Sequence, residues 1–225
     1  TDRRLTLLEQ FINWREKHLS QKQFILLLSF FVGILTSISA YILKQFIEWI
    51  ASLLTAGFDN AGANWLFLVY PVVGIFLTAL FIKYVVCDDI GHGVTKILYA
   101  ISRRQGHIRR HNCWSSVIAS GITIGFGGSV GPEAPIVLTG AAIGSNVGRL
   151  ARLNYRNTTL MLCCGAGAAI AAIFKAPITG VVFVLEILML DITASSVIPL
   201  LIASITATTI AFVFRGFDPI IAGTL

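Results

Sequence analysis

Several uncharged runs of this chain are long enough to cross a lipid bilayer as a helix, and the first two in the sequence show the pattern. Residues 24–43 form a run of 20 and residues 61–82 a run of 22, and neither contains Asp, Glu, Lys or Arg. About 20 apolar residues in a helix span the hydrocarbon core. Backbone polar groups have no water to bond there, so such a segment must be helical or part of a closed barrel. These runs therefore predict membrane-spanning helices.

The composition excludes a soluble globule. Of the 225 residues, 56% are hydrophobic and 12% are charged, which leaves too little polar surface to cover a domain of this size. The net charge of +6 comes from short basic bands between the uncharged runs, the arrangement of topology signals rather than of a nucleic-acid-binding surface. We expect a multi-pass integral membrane protein that does not bind nucleic acid.

The side chains that carry chemistry show no signature of a metal, a cofactor or an enzyme. The four cysteines have no CxxC or Cys/His spacing, so they predict reduced thiols and no zinc site. The sequence also lacks a cluster that pairs a nucleophile with a base. It therefore predicts neither an enzyme nor a bound cofactor.

The basic bands predict how the chain is oriented. Residues 1–22 are predicted to form an amphipathic helix at the cytoplasmic surface, and residues 23–225 the membrane domain. The segments 87–111 and 149–156 are also basic, and the positive-inside rule places them in the cytoplasm with the N-terminus. Seven crossings satisfy this assignment, with residues 94–101 as a re-entrant half-helix. An odd number lets a second copy insert upside down, as in inverted-repeat transporters.

A glycine-rich loop interrupts the apolar pattern. Gly127, Gly128 and Gly131 lead to Pro132, a residue favoured at the start of a helix. A helix that begins there exposes the unpaired amides of residues 129–131 and carries about half a positive charge at its N-terminus. The loop therefore predicts an anion site.

Packing alone explains a second glycine pattern. Gly140, Gly144 and Gly148 recur at every fourth residue, a spacing that lets membrane helices approach closely. These three predict a contact between helices. The loop needs another reason, because unpaired backbone at membrane depth occurs where it is buried or lines a polar cavity.

Three blocks of the sequence resemble the CLC family of chloride channels and chloride/proton exchangers. Residues 128–132, GSVGP, are similar to its G-[KR]-E-G-P signature, residues 165–186 to its GAAAG…F-x-AP…G…E run, and residues 91–94, GHGV, to its G-S-G-I-P block. The resemblance covers residues 20–225 but only the first half of a typical member. It implies an all-α membrane fold of one inverted repeat with broken helices, a homodimer, and a C-terminal half that this chain lacks.

The resemblance also implies a set of anion-binding residues. In this sequence they are Gly91, His92, Gly93, Gly128, Ser129, Val130, Gly131 and Pro132. His92 stands where the family has the serine that donates its hydroxyl to the central chloride. An imidazole N–H can also bind an anion, and its protonation would make occupancy depend on pH. A loop histidine with a purely structural role is the alternative.

Two glutamates that carry protons in the family's exchangers are absent. Val130 occupies the position of the glutamate that is both gate and proton carrier, and Ile187 that of the inner proton carrier. Neither side chain binds a proton. Glu133 and Glu186 are possible substitutes, although helix capping explains Glu133 and a structural hydrogen bond explains Glu186. An intramembrane carboxylate is nevertheless a functional candidate.

These departures favour a channel that passes chloride or a similar small anion passively, in the bacterial inner membrane with the N-terminus in the cytoplasm. Two alternatives stay open. One is a proton-coupled antiporter that uses a non-standard carboxylate. The other is a membrane scaffold that has the fold but does not conduct.

Overall fold

The computed structural model describes residues 20–55, 66–86, 93–188 and 193–215. Within these ranges the chain is helical and contains no strand, so the expected all-α fold is confirmed. Its α-helices, in chain order, are α1 Gln21–Thr55, α2 Leu66–Phe81, α3 Gly93–Arg103, α4 Ser115–Gly125, α5 Glu133–Leu150, α6 Tyr155–Phe174, α7 Pro177–Ile187 and α8 Ala194–Arg215. A π-helix, Ile82–Val86, extends α2, and a 3-10 helix spans Arg110–Cys113. The predicted amphipathic helix falls almost wholly on residues 1–19, outside the described residues.

Helix α1 begins at a reciprocal cap. Ser20 Oγ accepts a hydrogen bond from the amide of Gln23 at 3.4 Å, while the amide of Ser20 donates to Gln23 Oε1 at 3.3 Å. This exchange satisfies two amides at a helix start. The helix then runs for 35 residues and continues past Lys44 and Glu48, beyond the uncharged run 24–43.

Four segments of the described chain are long and apolar enough to cross a membrane. They are Gln21–Thr55, Val69–Val86, Tyr155–Phe174 and Ser195–Phe214. Helices α4 and α7 are apolar but have only 11 residues each. The chain breaks between α4 and α5, as expected near the glycine loop.

Helix α6 lies at the centre of the core. Its middle is lined by small residues, and Leu162, Cys163 and Cys164 are completely buried. Gly144 lies so close to the carbonyl oxygen of Met161 that a side chain at position 144 would overlap it, and a side chain at position 140 would likewise overlap the carbonyl oxygen of Gly165. The predicted contact through these glycines is therefore confirmed as the α5–α6 interface.

Hydrogen bonds from hydroxyl groups join helix α8 to α1 and α6. Ser37 Oγ on α1 donates to the carbonyl of Ala207 at 2.9 Å. Thr208 Oγ1 donates to the carbonyl of Ala171 on α6 at 3.1 Å. Hydrogen bonds between helices satisfy polar groups that have no water near them.

The start of α1, the end of α3 and the start of α6 meet at one end of the molecule, which we call the basic end. The Tyr155 hydroxyl donates to the carbonyl of Ile101 at 3.1 Å and joins α6 to α3. The basic residues of these termini and of the end of α5 are Lys22, Arg103, Arg104, Arg149, Arg152 and Arg156.

Candidate anion site

The glycine loop begins with a Schellman turn at the end of α4. Gly127 has φ +86°, a left-handed conformation that glycine adopts without steric cost. The amide of Gly127 donates to the carbonyl of Ile124, and the amide of Gly128 donates to that of Thr123, each at 2.9 Å. These are the two bonds of the motif, so residues 123–128 have a fixed shape.

The loop then leaves alternate amides open. The amide of Val130 donates to the carbonyl of Gly128 at 2.8 Å, so the expectation that residues 129–131 all present free amides is wrong at its central residue. The reason is a tight turn that uses this donor inside the loop. Within the described residues, the amides of Ser129 and Gly131 make no hydrogen bond.

Helix α5 adds further donors. Pro132 has φ −75° and ψ −6° and caps α5, which begins one residue later at Glu133. The first helical bond runs from the amide of Ile136 to the carbonyl of Pro132 at 3.2 Å. Because Pro135 has no N–H, the donors left open in the first turn are the amides of Glu133 and Ala134.

A second helix begins beside this one. Gly93 is the first residue of α3, and a Cβ built on it would lie 2.5 Å from the carbonyl oxygen of Ala134 and 3.6 Å from Leu138 Cβ. The backbones of α3 and of the first turn of α5 are therefore in contact. Residues 91 and 92 precede this contact and lie outside the described residues, so the role of His92 stays a prediction.

Two adjacent helix starts favour an anion. Each helix N-terminus carries roughly half a positive charge from its aligned peptide dipoles. An anion that leaves water loses hydration energy of the order of tens of kcal/mol in a low-dielectric medium, and oriented amides replace part of it. Neutral dipoles bind the ion without the fixed charge that would hold it permanently.

The side chain of Val130 is exposed. Its exposed fraction is 59%, although it follows the glycine turn at the approach to α5. No carboxylate is present at this position. The loop at residue 130 therefore presents an apolar, uncharged surface.

Glu133 bends back towards the loop. Its Oε2 occupies the space that a Gly131 side chain would take, and the residue is half-buried. It makes no hydrogen bond or ion pair within the described residues, so the expected capping acts through charge alone, on the positive end of α5. The side chain therefore lies beside the loop at Gly131.

Glu133 also lines a cavity of about 370 Å³ that we call the lysine cavity. The cavity lies between α1, the start of α5 and the end of α6, and its charged lining residues are Lys44, Glu48, Glu133 and Lys175. Lys175 has φ +51° at the end of α6, and its Nζ lies 5.2 Å from the centroid of the Phe212 ring. Sequence reasoning missed this cavity because Lys44 and Lys175 lie far apart in the chain.

Glu186 and the inner proton-carrier position, Ile187, lie on another helix. Glu186 and Ile187 are in the last turn of α7, and both are exposed. Glu186 makes no hydrogen bond or ion pair with the part of the chain that the structure describes, so the predicted structural hydrogen bond is not observed. Neither residue lines the lysine cavity.

Comparison with known proteins gives a family match. The model described as "Voltage gated chloride channel" matches residues 74–224. A ClcB-like protein of Ralstonia nicotianae is 31% identical over 162 residues, which cover 70% of this chain and 38% of that protein. The H(+)/Cl(-) exchange transporter ClcA of Vibrio cholerae is 32% identical over 101 residues, covering 44% of this chain and 22% of that protein.

Solved structures share the fold. A slow cyanobacterial Cl−/H+ antiporter superposes with a TM-score of 0.73 at 22% identity, over 92% of this chain and 50% of that one. A CLC-type fluoride/proton antiporter gives 0.71 at 24% identity, over 90% and 50%. The expected fold is thereby confirmed. The chain spans about half the length of these structures and less of the curated relatives.

Proposed function

The chain belongs to the voltage-gated chloride channel family, and from that premise we propose that the complete protein passes chloride or a similar small anion passively through the membrane. The proposal has two parts. The first is that the open amides at the starts of α3 and α5 bind the anion. The second is that proton movement is not coupled to anion movement.

The proposal rests mainly on the residue at position 130. The family signature has a glutamate there, and a glutamate can compete with the anion and bind a proton. This chain has Val130, whose exposed fraction is 59%, in a loop that retains open amides. Ile187 replaces the second proton carrier. An uncoupled pathway needs an anion site without a proton carrier, and the open amides together with Val130 and Ile187 support that proposal.

Reconstituted liposomes test the coupling. The complete protein is placed in vesicles with a chloride gradient, and the voltage at which net current vanishes is measured at several pH gradients. A passive conductor reverses at the Nernst potential of chloride whatever the pH gradient. We expect no shift with pH.

Two outcomes oppose the proposal. Proton uptake driven uphill by the chloride gradient would require a coupled antiporter. Vesicles with intact, correctly inserted protein but no anion flux would favour the non-conducting scaffold.

Glu133 supports the antiporter as a second candidate, because its carboxylate lies against Gly131 beside the open amides. If Glu133 carries the proton, the Glu133→Gln variant abolishes proton uptake and leaves anion flux. Under the passive proposal the same variant has no proton flux to lose. Removing a negative charge beside the amides then raises anion affinity. Glu186→Gln is measured in parallel, because Glu186 is the other candidate carboxylate and does not line the lysine cavity. Loss of proton uptake in that variant alone would assign the proton to Glu186.

A further inference from the structure

A crevice at the basic end has the shape and charge of a binding site for an amphiphilic anion. It has a volume of about 470 Å³ and lies between the starts of α1, α6 and α8 and the ends of α3 and α7. The candidate anion site belongs to the starts of α3 and α5. The crevice shares no residue with the loop 127–132 or with the lysine cavity.

One wall of the crevice is apolar. It includes Ile25 and Leu26 of α1, Leu160 of α6 and Ile198 of α8. An inorganic anion gains nothing from such a wall. A hydrocarbon chain does, because each CH2 group that packs against the wall is removed from water.

The charged lining residues are both cationic. Lys22 and Arg156 line the crevice and are exposed. Neither makes an ion pair or hydrogen bond within the described residues. The lining contains no Asp or Glu from that part of the chain, so the crevice has unbalanced positive charge.

The helix start at the crevice increases this charge. Arg156 is in the first turn of α6, and this turn has no acidic residue. Asn154, the residue before the helix, does not cap it through its side chain. A cation at the positive end of a helix dipole is unfavourable unless an anion accompanies it. Thr159 also lines the crevice, and its Oγ1 is buried without a hydrogen-bond partner.

We propose that this crevice binds an anionic phospholipid of the cytoplasmic leaflet. The phosphate lies between Lys22 and Arg156, near the open amides of the first turn of α6, and an acyl chain lies along the apolar wall. The positive-inside rule puts the basic end at the cytoplasmic surface, where anionic headgroups are found. Basic pockets between membrane helices at that surface bind such headgroups.

Native mass spectrometry of the complete protein in detergent tests this proposal. The probes are phosphatidylglycerol and phosphatidylcholine with the same acyl chains, so that the net charge of the headgroup is the main difference. Each basic side chain near the headgroup contributes about 1 kcal/mol, so two predict a preference of roughly 30-fold for phosphatidylglycerol. Equal binding of the two lipids by the unmodified protein would overturn the proposal without any variant.

The variants locate the site. Lys22→Ala combined with Arg156→Ala is expected to abolish the preference, and Lys22→Arg combined with Arg156→Lys to retain most of it. Arg149→Ala is the matched control, because Arg149 is exposed at the same end but does not line the crevice. An equal loss in the control would mean that diffuse surface charge, not the crevice, selects the lipid.

Competition with a soluble anion distinguishes a lipid-binding site from a site for free phosphate. Millimolar inorganic phosphate is expected to leave bound phosphatidylglycerol in place, because it cannot use the apolar wall. Displacement by phosphate at concentrations comparable with the lipid would instead indicate a site for free phosphate. The readout is bound mass, so the result does not depend on whether the protein conducts.

Discussion

At the scale of single residues, the chemistry of the loop changes with one side chain. Val130 has no charge and no titratable proton, while the backbone around it is held by the bonds at Gly127 and Gly128. A substitution at position 130 therefore changes the chemistry at the site without removing the turn that forms it.

Val130→Glu is expected to block conduction near neutral pH. The carboxylate lies close to the open amides of Ser129 and Gly131 and competes with the anion for them. Flux should recover in acid as the carboxylate protonates, with half-recovery near the ordinary glutamate pKa of about 4.3. Vesicle flux measured from pH 7 downwards gives the profile.

Val130→Gln is the control for this experiment, because it has a similar size and no charge. It should not show the acid recovery. If Val130→Glu conducts like the unmodified protein at every pH, position 130 does not border the pathway.

Cys113 provides a second test at this scale, outside the spanning helices. Burial raises the pKa of its thiol, and a hydrogen bond from Asn146 Nδ2, at 3.6 Å from Sγ, opposes this only in part. The thiolate is the reactive form, so a raised pKa lowers its fraction at neutral pH. We expect maleimide to label folded Cys113 more slowly than it labels the same residue in denatured protein, with the rate rising above pH 9.

Peptide mass spectrometry after timed labelling gives these rates. The denatured sample controls for the reagent. Equal rates in the two states at pH 7 would show that the thiol is neither buried nor shifted.

At the scale of helices, the α5–α6 contact depends on the missing side chain of Gly144. Gly144→Ala would place a methyl group against the carbonyl of Met161. Overpacking costs about 1–3 kcal/mol, and the better helix propensity of alanine returns about 1 kcal/mol. We expect a net loss of up to about 2 kcal/mol in unfolding free energy, measured by denaturation in detergent.

Gly148→Ala is the matched control on the same face of α5. There the nearest atom to the new methyl group, Thr158 Cα, lies 3.3 Å away, so a small shift relieves the contact. Equal destabilisation by the two substitutions would contradict the close approach at Gly144.

The sequence predicts where the helices lie in the chain better than it predicts which helices contact one another. Spacing alone identified the contact face of Gly140, Gly144 and Gly148, and Pro132 marked the start of α5 to within one residue. Periodicity and capping are local properties. The contact between Gly93 and Ala134 joins residues far apart in the chain, and no local pattern reports it. The direction of Glu133 depends on a rotamer, which spacing does not determine.

At the scale of the whole molecule, α7 and α8 present apolar side chains to the outside. Ile178 and Val182 on α7, and Ile205 on α8, are all exposed. We expect a homodimer through this surface, as the resemblance implies. Val182→Trp should weaken it by steric clash, and chemical cross-linking of the complete protein in membranes measures the change.

Ile75→Trp is the comparison variant for the dimer. Ile75 is exposed on α2, away from α7 and α8, and a tryptophan there should leave cross-linking unchanged. A monomer at all protein densities in the unmodified protein would refute the dimer.

The burial of α6 has a consequence for biosynthesis. Its middle, Gly165–Ala172, consists of small residues with a single isoleucine, because large side chains would prevent the approach of α5. Small residues gain little from transfer into lipid, so the feature that lets α6 pack also weakens its own insertion by the translocon. We therefore expect α1 and α5, which precede α6 in the chain, to assist its insertion into the bilayer.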